Sequence, residues 1–359
     1  VPVPETSPDA GAVWHYGDPL GEQRAAEHDA VVVDRSHRSV IALTGPDRRP
    51  WLHSISTQHV AEAPDGACTE NLSLDGQGRV EDHWLQTELG EVTYLDAEPW
   101  RGQPLLDYLT KMVFWSDVRP AAADFAVLSL LGPRLADSEV LTALGVDALP
   151  AESTAVALPG DGILRRLPAT GPVQLDLLVP RMGKDQWLDR LTGAGVRRAG
   201  IWAYEAMRVA AVRPRLGLDT DDRTIPHEVG WIGPPGRGAV HLDKGCYRGQ
   251  ETVARVHNLG RPPRMLVLLH LDGAGDRPAT GDPVLAGGRQ VGRLGTVVDH
   301  VDLGPIALAL VKRGLTPDTP LTTGGEHHVD ARIDPDSMPP ADATGAGRLA
   351  VDRLRGERH

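Results

Sequence analysis

The chain has 359 residues and a mass of 38.5 kDa, more than one hydrophobic core usually organises, so its length predicts two or three packed units. With 41% hydrophobic and 24% charged residues, the composition is that of a soluble globular protein, and no run nears the roughly 18 apolar residues of a membrane span. Thirty-seven Lys+Arg against 49 Asp+Glu leave a net charge of -12, which disfavours direct binding to nucleic-acid backbones.

In chain order, Val1 to Ala12 is rich in proline and acid, lacks the basic start and apolar core of a secretion signal, and is expected to be loose. Val40-Ile-Ala-Leu-Thr-Gly-Pro then predicts a strand running through Gly-Pro into a helix carrying Trp51, Leu52 and Ile55 on one side. Strands follow at 67–74, 80–85 and 92–95, and a helix at 104–113. Val127-Leu-Ser-Leu-Leu-Gly-Pro and a helix over 135–144 repeat the first passage in outline, a pattern that admits either a duplication or two independent uses of a common strand-to-helix junction. A strand at 173–179 and helices at 184–191 and 201–211 follow. Beyond Arg264 the helical period gives way to short strands with Gly-rich turns, which predicts a small β-barrel after a boundary at 258–263. The expected division is a loose N-terminus at 1–12, α+β lobes at about 13–120 and 121–258, a barrel at 264–333 and a mostly flexible tail at 334–359.

There are two cysteines, Cys68 and Cys246, which provide neither a disulfide framework nor paired zinc ligands and point to a reducing, cytoplasmic compartment. Cys68 lies on a predicted strand and reads as core. Cys246 lies in Lys244-Gly-Cys-Tyr-Arg-Gly-Gln-Glu251, a thiol between cations just before a predicted helix. Lys244, Arg248 and helix N-terminal amides all favour a thiolate. The residues alone admit a reactive thiol or a small side chain in a glycine turn. His227, in Ile225-Pro-His-Glu-Val-Gly, admits a proton carrier, a metal ligand or a loop residue.

The run from 244 to 251 resembles the K-G-C-Y-x-G-Q-E signature of the YgfZ family, folate-binding proteins that include a mitochondrial iron-sulfur assembly factor. Val33-Asp-Arg-Ser-His and the Gly-Pro helix resemble the opening of the related glycine-cleavage T-protein, an aminomethyltransferase, and residues 292–311 resemble that superfamily's closing barrel strands. The resemblance implies an α+β fold of two related lobes plus a C-terminal β-barrel around a central tetrahydrofolate channel. It also implies an accessory role in assembling or repairing iron-sulfur clusters of client enzymes, including tRNA-modifying ones, with Cys246 as the required thiol. Two cysteines cannot supply four thiolates, so a cluster held here, expected to be transient, would need outside ligands, glutathione or a second subunit.

Family members hold the pterin through a glutamate on a leucine-arginine-hydrophobic-glutamate helix. Here Ala206-Met-Arg-Val-Ala keeps Arg208 but places Ala210 where the glutamate belongs, and alanine accepts no hydrogen bond. Either Glu205 or another acid substitutes, with Arg208 reaching folate's glutamate tail, or pterin binding is altered or lost. Tyr247, Gln250 and Glu251 of the signature complete the implied cofactor-binding set. Gly78-Arg-Val-Glu-Asp82 aligns with the T-protein strand bearing the acid that assists reaction at the folate nitrogen, so Asp82 keeps a transferase reading open. A third reading is a folate sensor without chemistry.

Overall fold

The computed structural model describes residues 1–168, 173–324 and 328–339. The chain forms two compact bodies. The first comprises Val1–Leu72, Asp82–Met207 and Gly233–His241; the second comprises Ser73–Glu81, Arg208–Ile232 and the chain from Leu242 onward.

The first body opens with α1 (Pro19–His28), β1 (Val31–Asp34), β2 (Ser39–Thr44) and α2 (Arg48–Ile55). After these come β3 (Cys68–Leu74), β4 (Val80–Leu89), β5 (Val92–Ala97), α3 (Gly102–Lys111), β6 (Arg119–Ala123), β7 (Phe125–Leu131) and α4 (Ser138–Leu144). It continues through β8 (Thr154–Leu158), β9 (Gly162–Arg166), β10 (Gln174–Pro180), α5 (Lys184–Gly193), β11 (Arg197–Ala199) and α6 (Ile201–Ala210). One sheet has the order β3-β4-β5-β2-β6, the other β11-β1-β7-β10-β9-β8. Trp51 and Leu52 of α2 and Leu105 and Leu109 of α3 cover the first sheet. Val140 and Leu144 of α4 and Trp187, Leu188 and Leu191 of α5 cover the second.

The repeated Gly-Pro junction has one physical cause in both copies. Gly45 has φ +107° and a Cβ there would lie 2.2 Å from Asp117 O; Gly132 has φ +123° and its Cβ would lie 2.1 Å from Asp29 O. Each glycine lets its strand end pass against a neighbouring carbonyl, a conformation and a gap that other residues do not share. The prolines themselves precede the α-helices: α2 starts at Arg48, and Pro133 opens a short 3-10 turn before α4.

The two sheets share an apolar layer that includes Val40, Cys68, Leu85, Val127, Ile163 and Leu178. A buried ionic cluster also joins them. Arg165 on β9 bonds Asp176 on β10 at 2.9 Å and reaches Asp96 on β5. Arg38 holds Asp96 and, at 3.0 Å, Glu98. Arg35 and Asp176 both bond Ser129, at 3.0 and 2.6 Å. Three guanidinium groups therefore neutralise three carboxylates, which is the condition for burying any of them.

Three expectations about organisation are corrected. Residues 1–12 are not loose: Val3 is buried, Val3 N donates to Ala12 O at 3.1 Å, and His37 Nε2 meets Asp9 Oδ1 at 2.9 Å. Their few apolar groups suffice because the segment lies against existing structure. The lobes are not divided at residue 120 either, since β1 pairs with β7 and β11 in the second sheet while β6 pairs with β2 in the first. Nor does the α+β region run to 258, because residues 208–232 and 242–263 belong to the second body.

In that second body, α7 (Gln250–Leu259) precedes a closed barrel of β12 (Arg264–Leu271), β13 (Pro283–Ala286), β14 (Arg289–His300), β15 (Gly304–Lys312), β16 (Leu321–Thr323) and β17 (Val329–Ile333). Alternate residues such as Met265, Val267, Leu269 and Leu271 fill its interior. Arg264, the first barrel residue, forks onto Asp221 (2.6 and 3.1 Å) and Glu228 (2.8 Å to each oxygen). This pairing holds Asp221 down at about pKa 2 and ties the preceding loop to the barrel. Of the expected tail, Pro335–Ser337 form a 3-10 turn and Ser337 Oγ accepts from Leu268 N at 3.0 Å; residues 340–359 lie outside the described residues, as does His327.

Candidate functional site

The thiol loop belongs to the second body and is built on glycine. Gly249 precedes α7 with φ +82°, and a Cβ on it would lie 2.6 Å from Asp75 O and 2.9 Å from Gly78 Cα. Gly78, at φ +79°, is equally confined, with its Cβ position 2.8 Å from Thr252 Cβ. The turn between β3 and β4 thus rests backbone to backbone on the start of α7. Asp75 Oδ1 holds that turn by accepting from Gln77 N and Arg79 N, each at 2.8 Å. Gln250 closes the loop from the other side: its N donates to Tyr247 O at 3.2 Å and its Nε2 to Lys244 O at 3.3 Å.

On this frame Cys246 is exposed, whereas Lys244 and Tyr247 are buried on either side of it. Lys244 Nζ lies 5.2 Å from the Tyr247 ring centroid, a cation–π approach. Burial lowers the Lys244 ammonium to about pKa 8 and pushes the Tyr247 phenol up to about 12. The expected pair of flanking cations is therefore weaker than the sequence suggests. Lys244 has lost much of its preference for the charged form, and Arg248 Nη1 is committed to Glu81 Oε2 at 3.0 Å. Helix α7 begins four residues after Cys246, with Gly249 as its N-cap. Glu251 points to solvent in a 2.9 Å pair with Arg255, one turn along the helix. Cys68, by contrast, is buried, with its thiol pushed up to about pKa 11 by desolvation.

The other predicted residues occupy different surroundings. Asp82, in the first body, is no exposed strand acid: it is 3% exposed and accepts from Arg101 Nε at 2.7 Å. Glu205 on α6 is buried in the first body as well. Arg208, at the start of the second body's portion of α6, is buried and engaged. Its Nη1 donates to Asp219 Oδ2 at 2.7 Å and to Arg213 O, and its Nη2 donates to Thr296 Oγ1 at 2.6 Å. Asp219 also accepts from Arg215 N (2.8 Å) and Thr296 N (2.7 Å). Arg208 thus clamps the last turn of α6 to the loop after it and to β14, all within the second body. His227 is mostly buried, and neither ring nitrogen has a hydrogen-bond partner among the described residues. Burial, with His257 at 6.2 Å between ring centroids, lowers it to about pKa 4.

Structure-bearing residues that the sequence reading passed over are Glu81, Asp219, Arg264 and the Asp75–Gly78 turn. Only the last has a local signal, the Asp-Gly-Gln-Gly string at 75–78. Among the described residues no group of three or more His, Cys, Asp or Glu is placed to hold a metal ion, and no helix is long and apolar enough to cross a membrane.

Comparison with known proteins agrees with this architecture. The chain is 27% identical to the aminomethyltransferase of Streptomyces avermitilis, with 82% of each covered, and 28% identical to that of Stenotrophomonas maltophilia, with 71% of each covered. Its fold superposes on the glycine cleavage system aminomethyltransferase T of Bartonella henselae with a TM-score of 0.80, over 91% of each chain at 20% identity. Residues 264–340 match the CAF17 C-terminal beta-barrel domain. Because residues 18–232, more than half the sequence, match the GCVT N-terminal domain, the chain belongs to the GCVT family.

Proposed function

We propose that this GCVT-family chain is a YgfZ-type accessory protein, acting in the cytoplasm on the assembly or repair of iron-sulfur clusters in client enzymes through the Cys246 thiol. One observation carries the reading: an exposed cysteine lies between the buried Lys244 and Tyr247 in a loop whose end is fixed by two interlocked glycines. A merely structural cysteine would be placed as Cys68 is. The rigid frame sets the thiol's position, and the buried Lys244 keeps a proton-exchanging amine in the same loop.

Tetrahydrofolate, when bound, would supply one-carbon or reducing chemistry. The residues on α6 fit it only in part. Ala210 offers no acceptor, Arg208 already bonds Asp219 and Thr296, and the carboxylate that α6 carries is the buried Glu205, to which we assign the pterin's N–H groups. Its substitution by Gln tests this through folate affinity, measured by calorimetry.

The main test is restoration of an iron-sulfur enzyme's activity in cells lacking this gene, under mild oxidative stress. Wild type restores it and Cys246→Ala at equal abundance does not; full restoration by the variant sinks the reading. A second reading, folate-dependent aminomethyl transfer, is favoured by one observation: Asp82 is held buried as an ion pair rather than displayed as a surface acid. Under it, cleavage of an aminomethylated lipoyl carrier survives Cys246→Ala and fails in Asp82→Asn.

A further inference from the structure

In the first body, the loop after α3 shows the solvent two of the largest apolar side chains in the molecule. Phe114 is 74% exposed and Trp115 is 100% exposed. The chain contains only two phenylalanines, so displaying one of them is a specific expense of apolar surface. Phe114 also adopts φ +45°, a left-handed conformation that a bulky side chain disfavours and that glycine would take freely.

The base of the loop is rigid. Trp51 Nε1 donates to Met112 O at 2.8 Å, Met112 and Val113 pack against the first sheet's core, and Val118 is buried. Ser116 N donates to Val113 O at 3.0 Å, and Asp117 N donates to Asp47 Oδ2 at 2.8 Å. The aromatic tip is therefore held outward by an ordered turn, whose contacts offset the strained backbone at Phe114. Around it stand Lys111, exposed at the end of α3, and the Arg119–Asp117 pair at 3.2 Å. An apolar centre with a polar rim is the anatomy of a protein-binding hot spot.

We propose that Phe114 and Trp115 form the docking tip for a client protein, seated in a concave apolar pocket with an acceptor for the indole N–H. This rests on the accessory reading and names the surface that reading requires. Two aromatic side chains bury about 400 Å². Two copies pressed tip to tip would therefore bury about 800 Å² in total, below the roughly 1,200 Å² of a stable dimer. The same area suits a transient contact with a client. A net charge of -12 works against an anionic membrane surface.

The test uses the full chain in the deletion cells described above. Trp115→Ala and Phe114→Gly, at equal abundance, are expected to lower restored client activity roughly tenfold, the loss typical of a hot-spot anchor. The purified variants are expected to melt within a few degrees of wild type, because in Phe114→Gly the relief of the left-handed backbone is opposed by the freer unfolded chain that glycine brings. If both variants restore activity while Cys246→Ala does not, the docking proposal falls and the accessory reading stands. If wild type itself fails to restore activity, both fall. The proposal also falls if sedimentation shows a Trp115-dependent dimer, or if the protein binds vesicles of neutral or anionic phospholipid through Trp115.

Discussion

The thiol loop owes its position to a glycine, so Gly249→Ala is the perturbation that tests the account of the site. An alanine at φ +82° costs about 1–2 kcal/mol for the left-handed backbone. Roughly 0.4–1 kcal/mol of this is offset by the stiffer unfolded chain. The new Cβ would lie 2.6 Å from Asp75 O and 2.9 Å from Gly78 Cα. Both neighbours are main chain, so neither yields as the end of a flexible side chain would. Overpacking of this kind costs about 1–3 kcal/mol, for a net loss of about 1–5 kcal/mol. Over 359 residues the unfolding entropy is about 0.75 kcal/mol/K, so Tm should drop by about 1–6 °C, with a central value of about 4 °C. A thermal melt measures the drop, and hydrogen exchange at Gln250 N, which bonds Tyr247 O, reports whether the loop opens first. Gly245→Ala is the control: no atom lies within 4 Å of its Cβ position and its φ is unrestricted. If Gly249→Ala melts within about 1 °C of both Gly245→Ala and wild type, the interlocked-glycine argument is wrong.

Two further outcomes follow from the buried groups. Asp219→Ala removes a carboxylate that bonds the buried Arg208 guanidinium, so urea denaturation should show a loss of up to about 3–5 kcal/mol; a loss below about 1 kcal/mol would mean that the clamp is not a buried pair in solution. His227, lowered to about 4, takes up its proton in the unfolded chain near pH 6.5 but in the folded chain only near pH 4. The unfolded state therefore binds more protons across that window, and stability falls as pH drops from about 6.5 to 4, by up to roughly 1.4 kcal/mol per pH unit. His227→Phe should flatten this slope in denaturation curves at several pH values, and an unchanged slope would assign it to other groups.

Local pattern made much of the molecule legible. The strand predicted at 67–74 is β3, the helix predicted at 184–191 lies within α5, and the two Gly-Pro passages mark equivalent strand ends. Those features were readable because hydrophobic periodicity and glycine placement report on a few neighbouring residues. The signature 244–251 likewise singled out Cys246, and a glycine-framed loop does present it.

What the sequence did not determine is where each element finds its partner. β1 joins the second sheet because its neighbours are β7 and β11, about a hundred residues or more away along the chain. Nothing in Val31–Asp34 distinguishes one sheet edge from another. Arg208 reads locally as a cation on a helix, and only the fold brings Asp219 and, 88 positions along the chain, Thr296 to it. Arg248 met Glu81 in the same way, and burial alone changed the character of Lys244. Composition and spacing set which groups exist and which face of an element they occupy; desolvation and charge pairing depend on distant segments, and these were decided by tertiary structure.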